Sequence, residues 1–385
     1  VTTSDPAARA RTALTERFGV RAEQVWSAPG RVNLIGEHTD YNQGYVLPFA
    51  LGHRTAVAFT PSTGPGWTVW SEGPDETVRF GPDELTPGRV TGWAGYVAGV
   101  VWALREAGER VRPGFLTVAS DVPIGAGLSS SAALECATLG ALAGARVPPP
   151  EWPRIAQHAE NDYVGMPCGI MDQSAATYCR AGHALFLDCR DLAHRQVPFD
   201  PAAAELAVLL IDTGAPHRLV SGEYAARRAA CEAAAETLGV PALRDLRPPD
   251  LPDALPRLDS DLARRRVRHV VTENQRVLDA VVLLERGDIT AIGQLLTSSH
   301  VSLWEDFEVT VPQLDTAVDA ALGAGAYGAR MTGGGFGGCV LTLVDADATG
   351  SVARAVGEAF DREGFTPPSM FPVTPSGGAS RHEPR

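Results

Sequence analysis

The sequence predicts an α/β (α+β) protein of two domains, and three observations carry that prediction. The chain has 385 residues, 44% of them hydrophobic, which is enough for a large core and for more than one domain. Strand-like runs and runs of helical period are interspersed through both halves. Between the halves, Pro198–Phe199–Asp200–Pro201 is the expected boundary, giving domains over 1–197 and 198–385.

Taken in order, residues 5–19 read as an amphipathic helix ending at Gly19. Residues 24–60 are strand-like, with breaks at Pro29–Gly30, Asn42–Gly44 and Gly52. The segment 61–90, rich in Gly, Pro and charge, reads as an exposed hairpin with loops. Residues 93–107 place Tyr96, Val97, Val100, Val101 and Leu104 on one helical face. A strand over Phe115–Ser120 leads into a Gly/Ser loop and a helix over about 129–144. A further helix covers 151–164, and strands follow near 184–189 and 205–212. In the second half, helices are expected over 222–238 (closed by Gly239), 267–286, 288–299, 312–323 and 350–363, around the loop and strand MTGGGFGGCVLTLV. The Pro/Gly/Ser tail reads as disordered after Ser376.

Composition narrows the function. The net charge of −13 argues against a cationic face for nucleic acid or anionic lipid. No apolar run approaches 18 residues, so no membrane span is expected. There is no lysine: all 33 cationic side chains are Arg. P-loop nucleotidases, protein kinases and Schiff-base enzymes thereby lose their usual residue. The six Cys form no CxxC pair, and the polar N-terminal stretch lacks signal-peptide character. A cytoplasmic protein with free thiols is expected. No interface signal is visible, so a monomer is expected.

The loop DVPIGAGLSSSAA carries the first chemistry. Pro123, Gly125, Ala126, Gly127 and Leu128 make an approach poor in side chains, and Ser129, Ser130 and Ser131 lead into a helix. Free N–H groups and the macrodipole at a helix N-terminus favour an anion, and Ser hydroxyls donate to phosphate oxygens or ligate Mg²⁺. Alone, the same residues also suit an ordinary turn with a Ser N-cap.

PIGAGLSSSAA resembles the second motif of the GHMP kinases. APGRVNLIGEHTDYNQGYVLPFAL, over 28–51, resembles the galactokinase signature of that family, and MPCGIMDQ (166–173) and RMTGGGFGGCV (330–340) are similar to galactokinase motifs. Order and spacing agree from about residue 11 to 345. The resemblance implies a GHMP kinase fold: an N-terminal domain like the second domain of ribosomal protein S5, a ferredoxin-like C-terminal domain, and the site in the cleft between them. It implies transfer of the ATP γ-phosphate to the C1 hydroxyl of α-D-galactose. A related sugar such as N-acetylgalactosamine, or a sugar sensor without turnover, remains open.

The resemblance also implies site residues. Glu37, His38 and Asp40 contact galactose hydroxyls, as does Tyr224, with Gly169 beside them. For the residues alone, a polar surface turn and a core aromatic are the alternatives. Asp172 sits between apolar residues, where an acid is usually paired or functional; by resemblance it faces the C1 hydroxyl as base, with Arg31 beside it. Ser131 and Glu160 are the implied Mg²⁺ ligands, with a solvated helix-face acid as the alternative for Glu160. Trp93 and Ser71 are implied near adenine, and Trp93 suits plain core almost as well. Gly333 to Gly335 would let backbone approach the sugar or phosphate, or form a tight turn. One departure stands out. Many galactokinases carry Arg or Lys eight residues before the Tyr matched by Tyr224; here position 216 is Pro, followed by His217 and Arg218, and neither is assigned that role.

Overall fold

The structure is a computed structural model that describes residues 5–144, 146–215 and 220–383. Helix α1 (Pro6–Phe18) starts on the Asp5 cap and stops at Gly19 in the left-handed conformation. Strand β1 (Gln24–Asn33) is followed by the sugar-signature loop and the short β2 (Tyr45–Val46). Then come β3 (Pro48–Pro61), β4 (Trp67–Ser71), β5 (Glu76–Phe80), α2 (Trp93–Glu106) and β6 (Gly114–Ser120). The Gly/Ser loop opens α3 (Ser130–Ala143). It is followed by α4 (Trp152–His158), which widens into a π-helical turn over Ala159–Val164, and by α5 (Met171–Tyr178), β7 (His183–Asp188) and β8 (His194–Pro198).

Strand β9 (Leu206–Asp212) begins the second half. Helices α6 (Val220–Leu238), α7 (Leu251–Ala254), α8 (Asp261–Glu285), α9 (Ile292–Ser302) and α10 (Pro312–Gly323) follow, with a π-helical turn over Leu303–Phe307 after α9. The chain finishes the half with β10 (Gly328–Thr332), β11 (Cys339–Asp345), α11 (Thr349–Glu363) and β12 (Ser369–Val373), then adds β13 (Ser380–Arg381).

Three sheets result. The first runs β13-β1-β3-β6-β4-β5, the second β10-β11-β9-β12, the third β2-β7-β8. The second is antiparallel throughout. Helices α2 and α3 cover the first sheet over a core that includes Val57, Val69, Val97, Val101, Leu116 and Leu139. Val97, Val100, Val101 and Leu104 are fully buried, as the helical period predicts, while Tyr96 is partly buried. A second core joins the halves: Val32, Leu34, Phe49 and Leu128 from the first pack in one cluster with Val208, Leu210, Val277 and Leu341 from the second. The sugar-signature loop and the Gly/Ser loop both spring from this joint.

Three expectations need correction, and one strand was not foreseen. The segment 61–90 does form the expected hairpin, β4 antiparallel to β5, but it is not exposed: β4 also runs parallel beside β6, and Trp67, Val69, Trp70 and Phe80 are buried. Strand β8, pairing with β7, escapes the sequence reading because only Val197 of its five residues is buried, so no alternation shows. The helix over 151–164 is α-helical only to His158. The tail from Ser376 to Glu383 is ordered, not disordered: β13 pairs antiparallel with β1, and Arg54 donates to the carbonyls of Gly377 and Gly378, each at 2.8 Å. Residues 216–218, where the departure from the galactokinase pattern falls, lie outside the described residues.

Candidate active site

Pairing between β1 and β3 shifts register between Pro29 and Arg31, where residues 51–53 of β3 face Gly30 alone, and Arg31 follows that irregularity. There Arg31 meets Asp172 in a two-pronged pair, Nε to Oδ1 at 2.8 Å and Nη2 to Oδ2 at 2.8 Å. Its third nitrogen, Nη1, donates to the Gly127 carbonyl at 2.7 Å, and its backbone N–H donates to the Leu128 carbonyl at 3.1 Å. Burial pulls the Arg31 pKa down, but Asp172 and then Glu37 more than offset it, so the net shift is upward and the charge is secure.

The Gly/Ser loop is shaped by its backbone. Gly125, Gly127 and Ser129 have positive φ, and Ala126 and Leu128 point into the core joining the halves. Two of its carbonyls are taken by Arg31. Ser129 occupies the cap position of α3 but does not cap it; its hydroxyl donates instead to Asp172 Oδ2 at 2.5 Å. The ordinary Ser N-cap therefore does not apply, and the first-turn N–H groups of α3, which no intrahelical carbonyl can reach, are left for an external acceptor. Gly333 closes on the same loop, since a Cβ there would lie 3.0 Å from the Gly127 carbonyl.

A cavity of about 140 Å³ opens beside the Arg31–Asp172 pair, and Glu37, His38, Asp40, Gly169, Tyr224 and Gly333 are among its walls. Glu37 is held from the second half: its Oε1 accepts from the Gly333 N–H at 2.8 Å and the Thr332 hydroxyl at 3.2 Å, with Arg330 3.3 Å away. His38 has positive φ and sits among Tyr41, Tyr224 and Phe307. Burial, reinforced by nearby His269, pushes its pKa down to about 3, so the ring is neutral. Nε2–H then donates to the Gly334 carbonyl (3.2 Å), and Nδ1 accepts from the Tyr41 hydroxyl (2.8 Å). Asp40 accepts from the Tyr41 N–H at 2.9 Å. Burial and then the charge of Asp172 push its carboxyl up to about 7. Gly169 touches that carboxylate so closely that an added Cβ would lie 1.7 Å from Oδ2.

Behind Asp172 lies an acidic pair. Glu160, on the π-helical turn, accepts from Gln173 Nε2 at 2.7 Å and hydrogen-bonds Ser131. Burial and the charge of Asp172 push its carboxyl up to about 7. Gln173 Nε2 also donates to Glu135 at 3.1 Å; Glu135 is fully buried and, by burial first and Glu160 second, shifted well above the usual carboxylate range. Ser131 and Glu160 thus offer hard oxygens at a spot already short of positive charge, which suits Mg²⁺. Among the described residues no cluster of three His, Cys, Asp or Glu side chains could hold a metal, so phosphate and water oxygens would complete such a shell.

Ser71 and Trp93 are not brought to this cavity. Ser71 ends β4 beside Val118, on the strand that feeds the Gly/Ser loop. Trp93 opens α2, and its indole N–H donates to Glu76 at 2.8 Å. Sequence reasoning missed Thr332, Arg330, Gln173 and Glu135. RMTGG and MDQ contain three of them inside quoted motifs, but nothing in the motif spelling says which partner each one holds.

A helix-capped glycine loop facing a carboxylate–arginine pair defines a small-molecule kinase of the GHMP class, and the comparisons agree. The GHMP kinase N-terminal and C-terminal domain models match residues 95–180 and 280–362, and the galactokinase galactose-binding signature matches 12–61. A galactokinase of Streptomyces coelicolor is 50% identical over 371 residues, 95% of this chain and 96% of the relative. One of Mycobacterium bovis is 50% identical over 92% of this chain and 98% of its own length. The crystal structure of Lactococcus lactis galactokinase complexed with galactose superposes with a TM-score of 0.91 at 32% identity, covering 96% of this chain and 98% of that one. The chain belongs to the galactokinase family.

Proposed function

We propose that this protein transfers the γ-phosphoryl group of ATP to the C1 hydroxyl of α-D-galactose, giving galactose 1-phosphate and ADP. The observation that carries the reading is the two-pronged Arg31–Asp172 pair, set between the sugar-sized cavity and the open N-terminus of α3. Glu37, Asp40 and Tyr224 supply acceptors and donors for neighbouring sugar hydroxyls, His38 packs beside them with both ring nitrogens engaged, and Gly169 keeps the wall beside Asp40 thin. The loop from Pro123 to Ser131 takes the phosphates on backbone N–H groups and hydroxyls, in a protein that has no lysine for the task. Ser71 and Trp93 take the adenine end. Ser131 and Glu160 would hold Mg²⁺, which when bound offsets charge on the phosphate oxygens.

In the reaction the C1 oxygen forms a bond to the γ-phosphorus, the bond from phosphorus to the β–γ bridging oxygen breaks, and the proton of the C1 hydroxyl passes to Asp172. Both oxygens of Asp172 lie against Arg31, and Oδ2 also accepts from Ser129, so Oδ1, which faces one partner residue instead of two, takes that proton. Most of the acceleration arises from alignment and from the Arg31 charge near the transferring group. The reading takes the cytoplasm as the compartment and a monomer as the working unit; the six free cysteines suit the former. The test is ADP release by the purified protein with galactose, glucose or N-acetylgalactosamine as acceptor. Galactose-dependent release well above the other two is expected, and release that is indifferent to galactose overturns the proposal.

A further inference from the structure

The loop that carries Glu37, His38 and Asp40 has no regular structure between Leu34 and the short turn at Asp40, yet its side chains must hold their positions closely to read a sugar. What fixes it comes from far along the chain, on one face of α8. Glu273 is fully buried and takes the Gly36 N–H on Oε1 at 2.9 Å. The same oxygen accepts from the Ser299 hydroxyl at 2.7 Å, and Oε2 accepts from Arg276 at 2.7 Å. One turn earlier, His269 Nε2–H donates to the Glu37 carbonyl at 3.1 Å, while its Nδ1 accepts from the Ser302 hydroxyl at 2.9 Å. Asn274 Oδ1 accepts from the Tyr45 N–H at 2.9 Å. Loop and helix also touch closely: a Cβ on Gly36 would lie 2.9 Å from Val277, and one on Gly44 would lie 2.4 Å from Asn274 Oδ1. Phe307 continues the contact, its ring 4.4 Å from that of His269 and 4.7 Å from that of His38.

We infer that His269, Glu273 and Asn274 form a template on α8 that sets the positions of Glu37, His38 and Asp40, so that sugar affinity and epimer discrimination are governed by residues that never touch the sugar. They are positioning residues. Each grips a backbone group of the loop, at Gly36, Glu37 and Tyr45, so both ends of the loop are tied to one rigid element. Charge supports the arrangement. Burial pushes the Glu273 carboxyl up, but Arg276 and then His269 and Arg330 pull it down to about 2, leaving it an acceptor only. Burial lowers His269 to about 4, so its ring is neutral and has one N–H to give, which goes to Glu37. Among the described residues no hydrogen bond or ion pair links any of the three to the Gly/Ser loop or Asp172, so the template acts on sugar binding and not on the phosphoryl step.

The inference rests on the sugar reading of the cavity, and the test separates the two. His269→Leu removes the donor to Glu37 at similar volume, and His269→Gln can restore an N–H in place of Nε2. Galactose binding to the full-length protein is measured by calorimetry, steady-state constants by ADP release, and amide hydrogen exchange over residues 36–45 without any sugar. His269→Leu is expected to weaken galactose binding and raise its KM by roughly tenfold or more. Its kcat at saturating galactose and its KM for ATP should stay within about threefold, and the loop amides should exchange faster. His269→Gln should recover most of the affinity. A Leu variant with unchanged loop exchange overturns the template whatever the ligand proves to be. So does one that loses kcat and KM for both substrates alike. If the wild type binds no galactose while loop exchange still responds as expected, the functional reading fails and the template stands.

Discussion

Gly169→Ala isolates one contact of the sugar cavity. Gly169 is outside the left-handed region, so its backbone accepts any residue and the substitution carries no conformational strain. The whole effect falls on Asp40. The added Cβ would lie 1.7 Å from Oδ2 and 2.1 Å from Cγ, and ordinary van der Waals contact begins at 3.4 Å. The carboxylate must therefore retreat by about half an ordinary contact distance. A hydrogen bond lengthened by more than an ångström is lost, and one to a charged group contributes about 1.5–3 kcal/mol. Galactose affinity should fall by roughly 10- to 150-fold. Calorimetric titration of the purified variant reads this directly. Thermal unfolding should move modestly, since overpacking here costs about 1–3 kcal/mol. A double-mutant cycle makes the test sharper: once Asp40→Ala has removed the collision partner, adding Gly169→Ala should change affinity by less than about 0.5 kcal/mol. An affinity unaltered by Gly169→Ala, or full additivity in the cycle, refutes the reasoning.

Three further predictions use the same assays. Asp172→Asn should abolish ADP release while galactose still binds within about tenfold, because the amide keeps the shape but cannot take the proton; substantial turnover would remove Asp172 from the role of base. Asp40 titrates near 7 in the folded protein, raised by burial and by Asp172 against the pull of the Tyr41 N–H and Arg31. Its ionised form is the better acceptor for hydroxyls, so galactose affinity should rise as pH rises through about 7, and this dependence should vanish in Asp40→Asn. The same raised value makes the ionised Asp40 a cost to stability that is absent below its unfolded range near 3.8 and complete above about 7. Deleting residues 376–385 should lower stability by about 2–4 kcal/mol through the lost bonds of Arg54, Ser27 and β13, seen as a fall in the unfolding midpoint; an unchanged midpoint would show that the tail is not held.

The sequence was most legible where physics is local. The face of α2 follows from period, the end of α1 from Gly19, and Glu37, His38 and Asp40 stand within four residues of one another. Legibility failed where partners are remote. Arg31 and Asp172 are 141 residues apart, and Glu37 and Thr332 are 295 apart; only the match to known motifs brings such residues onto one page. The grip of α8 on the loop was invisible because His269 and Glu273 read as ordinary positions on a long amphipathic helix. Strand β8 was missed because a mostly exposed strand shows no alternation. The tail was misread because composition records Pro, Gly and Ser but not the carbonyls of Gly377 and Gly378, which Arg54 collects.

The place of β13 bears on how the protein is made. Strand β1 carries Arg31, and its edge at Trp26 and Ser27 is covered by residues made much later: Ser27 and His382, which bond at 2.7 Å, are 355 residues apart. A nascent chain can close most of the first half early, but until translation reaches residue 381 that edge stays open, a row of unpaired N–H and C=O groups able to recruit a neighbouring chain. Pairing of β13 thus closes β1 at Trp26 and Ser27, and translation products truncated before residue 380 should aggregate through β1 more readily than a chain that includes β13.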